Sequence, residues 1–98
     1  MAGMTLFEWD EAKAESNLRK HGISFDDAVE VFYDPYAVFE QDRVVDGELR
    51  WEVVGVAGGA IVLQIAHTAT ELDGDEVIRI ISARPATRKE RKHYGENR

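Results

Sequence analysis

At 98 residues, with 44% hydrophobic residues, the chain is long enough for one domain (1–98) with one modest core and leaves no room for a separate cofactor domain. It contains no cysteine, which excludes disulfides, thiolate metal sites and a cysteine nucleophile. The net charge of -7 argues against a surface that is basic throughout, but six Lys/Arg against two Glu give residues 84–98 a charge of +4 and leave -11 for the rest.

In chain order, Met4 to Glu8 reads as a short strand, and Met4 could be an alternative start with Met1 to Gly3 as an extension. Asp10 can cap a helix running from Glu11 to Lys20 or His21, with Gly22 as its left-handed stop. Ser24 opens a second helix through Val31 or Phe32, with Asp27 in the place of a capping-box acid and Phe25, Ala28, Val29 and Phe32 on its buried face. Asp34-Pro35 breaks that helix.

From Tyr36 the alternation and β-branched residues predict strands at 36–44, 49–56, 60–67 and 77–84. Asp46-Gly47 and Gly58-Gly59 mark hairpin turns, and Thr70 to Glu76 is expected to be an acidic loop. A basic helix follows from Ala86 to Tyr94. The fold class is therefore α+β: a short N-terminal strand, two helices, an antiparallel sheet of about four strands and a C-terminal helix. The longest apolar run, Ala60 to Leu63, is too short for a membrane span, so a cytoplasmic protein with no membrane partner is expected.

The chemistry-bearing residues fall into three groups. Lys13, Asn17, Lys20 and His21 share one helical face that could meet phosphate oxygens or simply be solvated. Arg50 sits between Glu48 and Glu52, and Arg79 lies within an apolar strand, where it must reach solvent, pair with an acid such as Glu52 or Glu48, or hold an anion. Strict alternation puts Arg79 and Arg84 on opposite faces, so they converge only if the sheet twists or bulges between them. In the last helix Glu90 can close a capping box with Thr87, Tyr94 shares its face, and Tyr94 could pin the helix, donate a proton or stack on a base. His21, His67 and His93 are widely separated, and the acids around Gly74 lack calcium-loop spacing, so neither a metal nor a cofactor is expected.

Phe7-Glu8-Trp9-Asp10 with Lys13, Asn17 and Lys20-His21-Gly22-Ile23, then Phe25, Ala28, Gly47-Glu48 and Arg50, and finally Ile78-Arg79-Ile80-Ile81-Ser82-Ala83-Arg84 with Glu90 and Tyr94, together resemble the BrnT toxin family. The resemblance runs from about Leu6 to Tyr94. It implies a RelE-like ribonuclease fold, RNA cleavage that arrests translation, and neutralisation by a BrnA-like ribbon-helix-helix antitoxin in a heterotetramer that binds operator DNA only through the antitoxin. RelE-like nucleases are usually basic, whereas this chain is acidic.

Metal-free RNA cleavage needs help in removing the 2′-OH proton, stabilisation of the phosphorane and protonation of the 5′-oxygen. Arg50, Arg79 and Arg84 suit phosphate and transition-state binding because the guanidinium stays protonated and matches two oxygens. His21, Glu48 and Tyr94 are the candidates for acid and base, and Lys13, Asn17, Lys20 and Arg88 for RNA binding. The competing reading is a non-catalytic interaction module that docks through its basic C-terminal helix, with Arg50 and Arg79 in structural pairs. A DNA-binding role in its own right fits least, as no helix-turn-helix is visible.

Overall fold

The structure, a computed structural model, describes residues 3–96; Met1, Ala2, Asn97 and Arg98 lie outside the described residues, and with them one cation of the basic tail. The elements are β1 (Thr5–Glu8), α1 (Glu11–His21), α2 (Phe25–Val31), β2 (Val38–Val45), β3 (Glu48–Ala57), β4 (Ile61–Leu72), β5 (Asp75–Pro85) and α3 (Arg88–Glu96). Strands β2 to β5 form the expected antiparallel meander, and β1 joins it as a fifth strand parallel to β5, giving the order β1-β5-β4-β3-β2. Among the described residues no helix is long and apolar enough to cross a membrane.

Local chemistry accounts for the helix boundaries. The Asp10 carboxylate accepts from the amides of Ala12 (2.8 Å) and Lys13 (3.2 Å), and Gly22 ends α1 at φ 73°. The Ser24 hydroxyl accepts from the Asp27 amide at 3.0 Å to start α2. Phe25, Ala28 and Val31 are the buried residues of α2, with Val29 and Phe32 partly buried beside them, so Val31 joins the face expected from sequence.

Strands β4 and β5 run on through the segment expected to be a loop. Thr70 to Glu76 is not a loop: β4 continues to Leu72 and β5 starts at Asp75, joined by a two-residue turn at Asp73-Gly74. Both turn residues have positive φ (52° and 86°), as do Asp46 and Gly47 (51° and 80°) in the β2–β3 hairpin. Asp-Gly suits this left-handed turn, and the pairing it enforces outweighs the repulsion of the neighbouring acids.

Helices α1 and α2 cover one face of the sheet, where Val53, Leu63, Ile65, Ile78, Ile80 and Ala83 pack against Phe25, Ala28 and Val31. Gly55 lies under α2, where an added Cβ would come within 2.9 Å of the Val31 side chain and 3.2 Å of the Asp34 carboxylate. The α1 contact is polar at its centre. Strand β1 pairs only with Glu76 to Arg79, so the β5 edge beyond has no strand neighbour. Asn17 occupies that gap, donating to the Ala83 carbonyl (2.8 Å) and accepting from its N–H (3.1 Å), with a second donor bond to the Ile23 carbonyl (2.9 Å). Asn17 is therefore buried, and of the polar face expected to include it only Lys13 and Lys20 are exposed.

His67 lies on the same sheet face, 2% exposed, with its ring edge-on to Phe32 (4.8 Å between centroids) and Phe39 (6.1 Å). Its Nδ1 is buried without a hydrogen-bond partner. Burial pushes its pKa down to about 4.

Two stability measurements test this packing. Asn17→Ala strands the Ala83 and Ile23 backbone groups and is expected to lower the unfolding free energy by about 3 kcal/mol, whereas Lys13→Ala is expected to stay within about 0.5 kcal/mol of wild type. The His67 imidazole stays neutral in the fold while the unfolded chain takes up a proton below about pH 6.5. Stability present above that pH is then lost as pH falls towards 4, by on the order of 3 kcal/mol. Urea midpoints across this window are expected to fall for the wild type and to stay nearly level for His67→Leu; parallel slopes would refute the assignment.

Candidate functional site

The sheet face turned away from α1 and α2 carries the arginines. On β3, alternation from the buried Val53 and Gly55 sends Glu48, Arg50, Glu52 and Val54 to this face. On β5, Ile78 and Ile80 point to the core and Arg79 away from it. Strict alternation would make Ser82 the next core residue, yet Ser82 is only half-buried and Ala83 is buried instead. The cause is a bulge. Ala66 pairs with Ser82 and His67 with Ile80, so Ile81 is an extra residue on β5. That one residue restores Arg84 to the face of Arg79, which strict alternation denied it.

Each of these arginines lies close to a carboxylate, in the sequence or in space. Arg79 pairs with Glu48 across β4, one of the two cross-strand partners expected for it, and both side chains remain about 40% exposed. Arg84 makes a two-pronged contact with Glu90 of α3, at 2.8 and 2.9 Å, and a further bond to the Pro85 carbonyl at 3.2 Å. The hydrogen bonds from Arg84 hold the Glu90 carboxyl below the usual carboxylate range, and Glu90 raises the Arg84 pKa in return. Arg50 stands between Glu48 and Glu52 on the same strand face, and its Nε is buried without an acceptor.

Helix α3 closes one end of this face. Thr87 and Glu90 form the expected capping box: the Glu90 amide donates to the Thr87 hydroxyl (3.1 Å) and the Thr87 amide to the Glu90 carboxylate (2.8 Å). At the other end of the helix Tyr94 is buried, and its hydroxyl donates to Asp34 at 2.5 Å. The same Asp34 oxygen accepts from the Val56 amide at 2.9 Å, so Tyr94 anchors α3 to the sheet. A cleft of about 380 Å³ lies between α3 and the sheet, lined by Val38, Glu40, Glu52, Val54, Lys89, Glu90 and His93.

Glu52, which enters the sequence pattern as a neighbour of Arg50 and a possible partner for Arg79, belongs to this cleft. It accepts from the Gln64 amide at 2.8 Å. Burial raises its pKa first, and the charges of Asp42, Glu90 and Glu40 add to this against the opposing pull of Arg84. The signal for Glu52 in the sequence is its spacing: it is two residues from Arg50 and so shares its face.

The remaining sequence candidates are placed differently. Among the described residues no hydrogen bond or ion pair joins Lys13, Lys20 or His21 to the arginine face; they belong to α1, with Lys20 and His21 in its last turn. Arg88 is exposed at the start of α3. Both amide atoms of Asn17 are committed to backbone groups.

The arrangement gathers three guanidinium groups with the carboxylates of Glu40, Glu48 and Glu52 on one open sheet face, and α3 adds that of Glu90. It can bind a phosphodiester through charge-assisted, two-pronged hydrogen bonds and can offer a carboxylate of raised proton affinity beside it.

Comparison with known proteins agrees with the fold. The 1.1 Å crystal structure of the Brucella abortus ribonuclease toxin BrnT matches with a TM-score of 0.60 at 24% sequence identity, covering 87% of this chain and 99% of that one. No curated protein sequence matches. Residues 9–90, most of the chain and all three arginines, match the family described as ribonuclease toxin, BrnT, of type II toxin-antitoxin system. The chain therefore belongs to the BrnT ribonuclease toxin family of type II toxin–antitoxin systems.

Proposed function

We propose that this chain is a metal-independent endoribonuclease toxin, acting in the cytoplasm to arrest translation, and that Arg50, Arg79 and Arg84 form its phosphate and transition-state site. The observation that carries this reading is the bulge at Ile81, which brings Arg79 and Arg84 to one face beside Arg50. Three cations there can stabilise the dianionic phosphorane that 2′-OH attack creates, a charge that arginine meets without losing its proton.

Proton transfer falls to the carboxylates of this face. Glu52 is favoured as the base because burial and neighbouring acids strengthen its hold on a proton. Glu48 orients Arg79, and Glu90 holds Arg84 until substrate phosphate competes for it. Tyr94 serves as the anchor of α3. Lys20, His21 and Arg88 are left to contact RNA outside the reacting phosphate. The partner that neutralises the toxin is an antitoxin of the ribbon-helix-helix type, with DNA contacted through that partner.

Purified protein is expected to cleave RNA in the presence of EDTA, with Arg79→Ala and Arg84→Ala each slowing cleavage on the order of 10²-fold while keeping the wild-type circular dichroism spectrum. Wild-type rates in both folded variants would remove the arginines from the site and favour a non-catalytic interaction module. In a pH–rate profile, activity that needs the Glu52 carboxylate is lost as pH falls through its raised pKa. Glu52→Gln is expected to abolish that acidic limb together with most of the rate; a variant retaining the limb would reassign the base.

A further inference from the structure

On the other side of the sheet, helices α1 and α2 leave the far end of their face uncovered. Beyond the end of α2, Phe7, Phe32, Tyr33, Phe39, Trp51 and His67 line a cleft of about 390 Å³. Tyr33 is 70% and Phe39 48% exposed, an apolar surface that costs free energy in water. Beside it, the strand registers set Thr5, Glu76 and Glu71 in one row across β1, β5 and β4. Glu71 and Glu76 are thus direct cross-strand partners of like charge, both exposed, and Glu76 also lines the cleft. Such a pair is repulsive, and among the described residues neither carboxylate has an ion-pair partner.

We infer that this surface docks a basic amphipathic helix of the antitoxin, with apolar side chains entering the aromatic cleft and Lys or Arg meeting Glu71 and Glu76. The identity of the partner rests on the toxin–antitoxin reading above; its chemistry rests on the cleft and the glutamate pair. A helix laid here continues the layer that α1 and α2 begin, which is how an open sheet face is normally covered. Charge separates the possible occupants, because the paired glutamates attract a basic helix and repel the phosphates of RNA.

The probe is a synthetic helical peptide of about 18 residues with Leu at i, i+3, i+4 and i+7 and Lys/Arg elsewhere. Controls are its scrambled sequence, its Glu-substituted counterpart and a single-stranded oligoribonucleotide. Two-dimensional NMR on the labelled full chain is expected to show shifts at Trp51, Ala69, Glu71 and Glu76 with the basic helical peptide alone. Affinity is expected to weaken about tenfold in Glu71→Gln/Glu76→Gln, with circular dichroism unchanged. No shifts up to about 1 mM peptide, equal binding of the scrambled peptide, unchanged affinity in the variant, or oligoribonucleotide shifts in the cleft would each overturn the proposal. RNA cleavage by the same double variant is expected at the wild-type rate, so failure of the docking surface and failure of the ribonuclease reading are read separately.

Discussion

One residue inserted into one strand organises the polar face. A β-strand sends successive side chains to opposite sides, so residues five apart, such as Arg79 and Arg84, are ordinarily separated by the sheet. The unpaired Ile81 changes that parity while keeping Ile78, Ile80 and Ala83 in the core. The core thus keeps its apolar contacts, and the arginines gain a common face. Asn17 supports the same stretch from the other side by satisfying the backbone of Ala83, immediately next to Arg84.

The acidity of the chain takes on a specific meaning in this setting. Two of the three arginines of this face are already engaged: Glu48 holds Arg79 and Glu90 holds Arg84. An incoming phosphate would exchange one charge-assisted partner for another, which favours a ligand that presents several oxygens at fixed spacing over a simple anion. The C-terminal helix takes part in this exchange, since the Glu90 carboxylate both caps α3 and binds Arg84.

Local signals made much of the fold legible. Asp10, Gly22 and Ser24 act within a few residues of themselves, and the helix boundaries follow. Asp46-Gly47 likewise defined its hairpin, whereas the same dipeptide at Asp73-Gly74 was obscured by the surrounding acids. What escaped the sequence depends on neighbours distant in the chain. The parallel pairing of β1 with β5 decides where the β5 edge is bare, and that bare edge buries Asn17 on a helix face that otherwise reads as solvated. The bulge that unites the arginines exists only in the pairing of β5 with β4, although the need for one was visible in the spacing of Arg79 and Arg84. The raised pKa of Glu52 has the same origin, since the charges around it come from other elements.

The crowding at Gly55 gives the molecule a mechanical connection between its two sides. A side chain there would press on Val31 and on the Asp34 carboxylate, and Asp34 also receives the Tyr94 hydroxyl. Tyr94 fixes the far end of the helix whose first turn carries Glu90. Val31, Asp34, Tyr94 and α3 thus form one chain of contacts from beneath α2 to the partner of Arg84. The space reserved by a single missing methyl group thus bears on where Glu90 stands, although it lies on the opposite side of the sheet from the arginines.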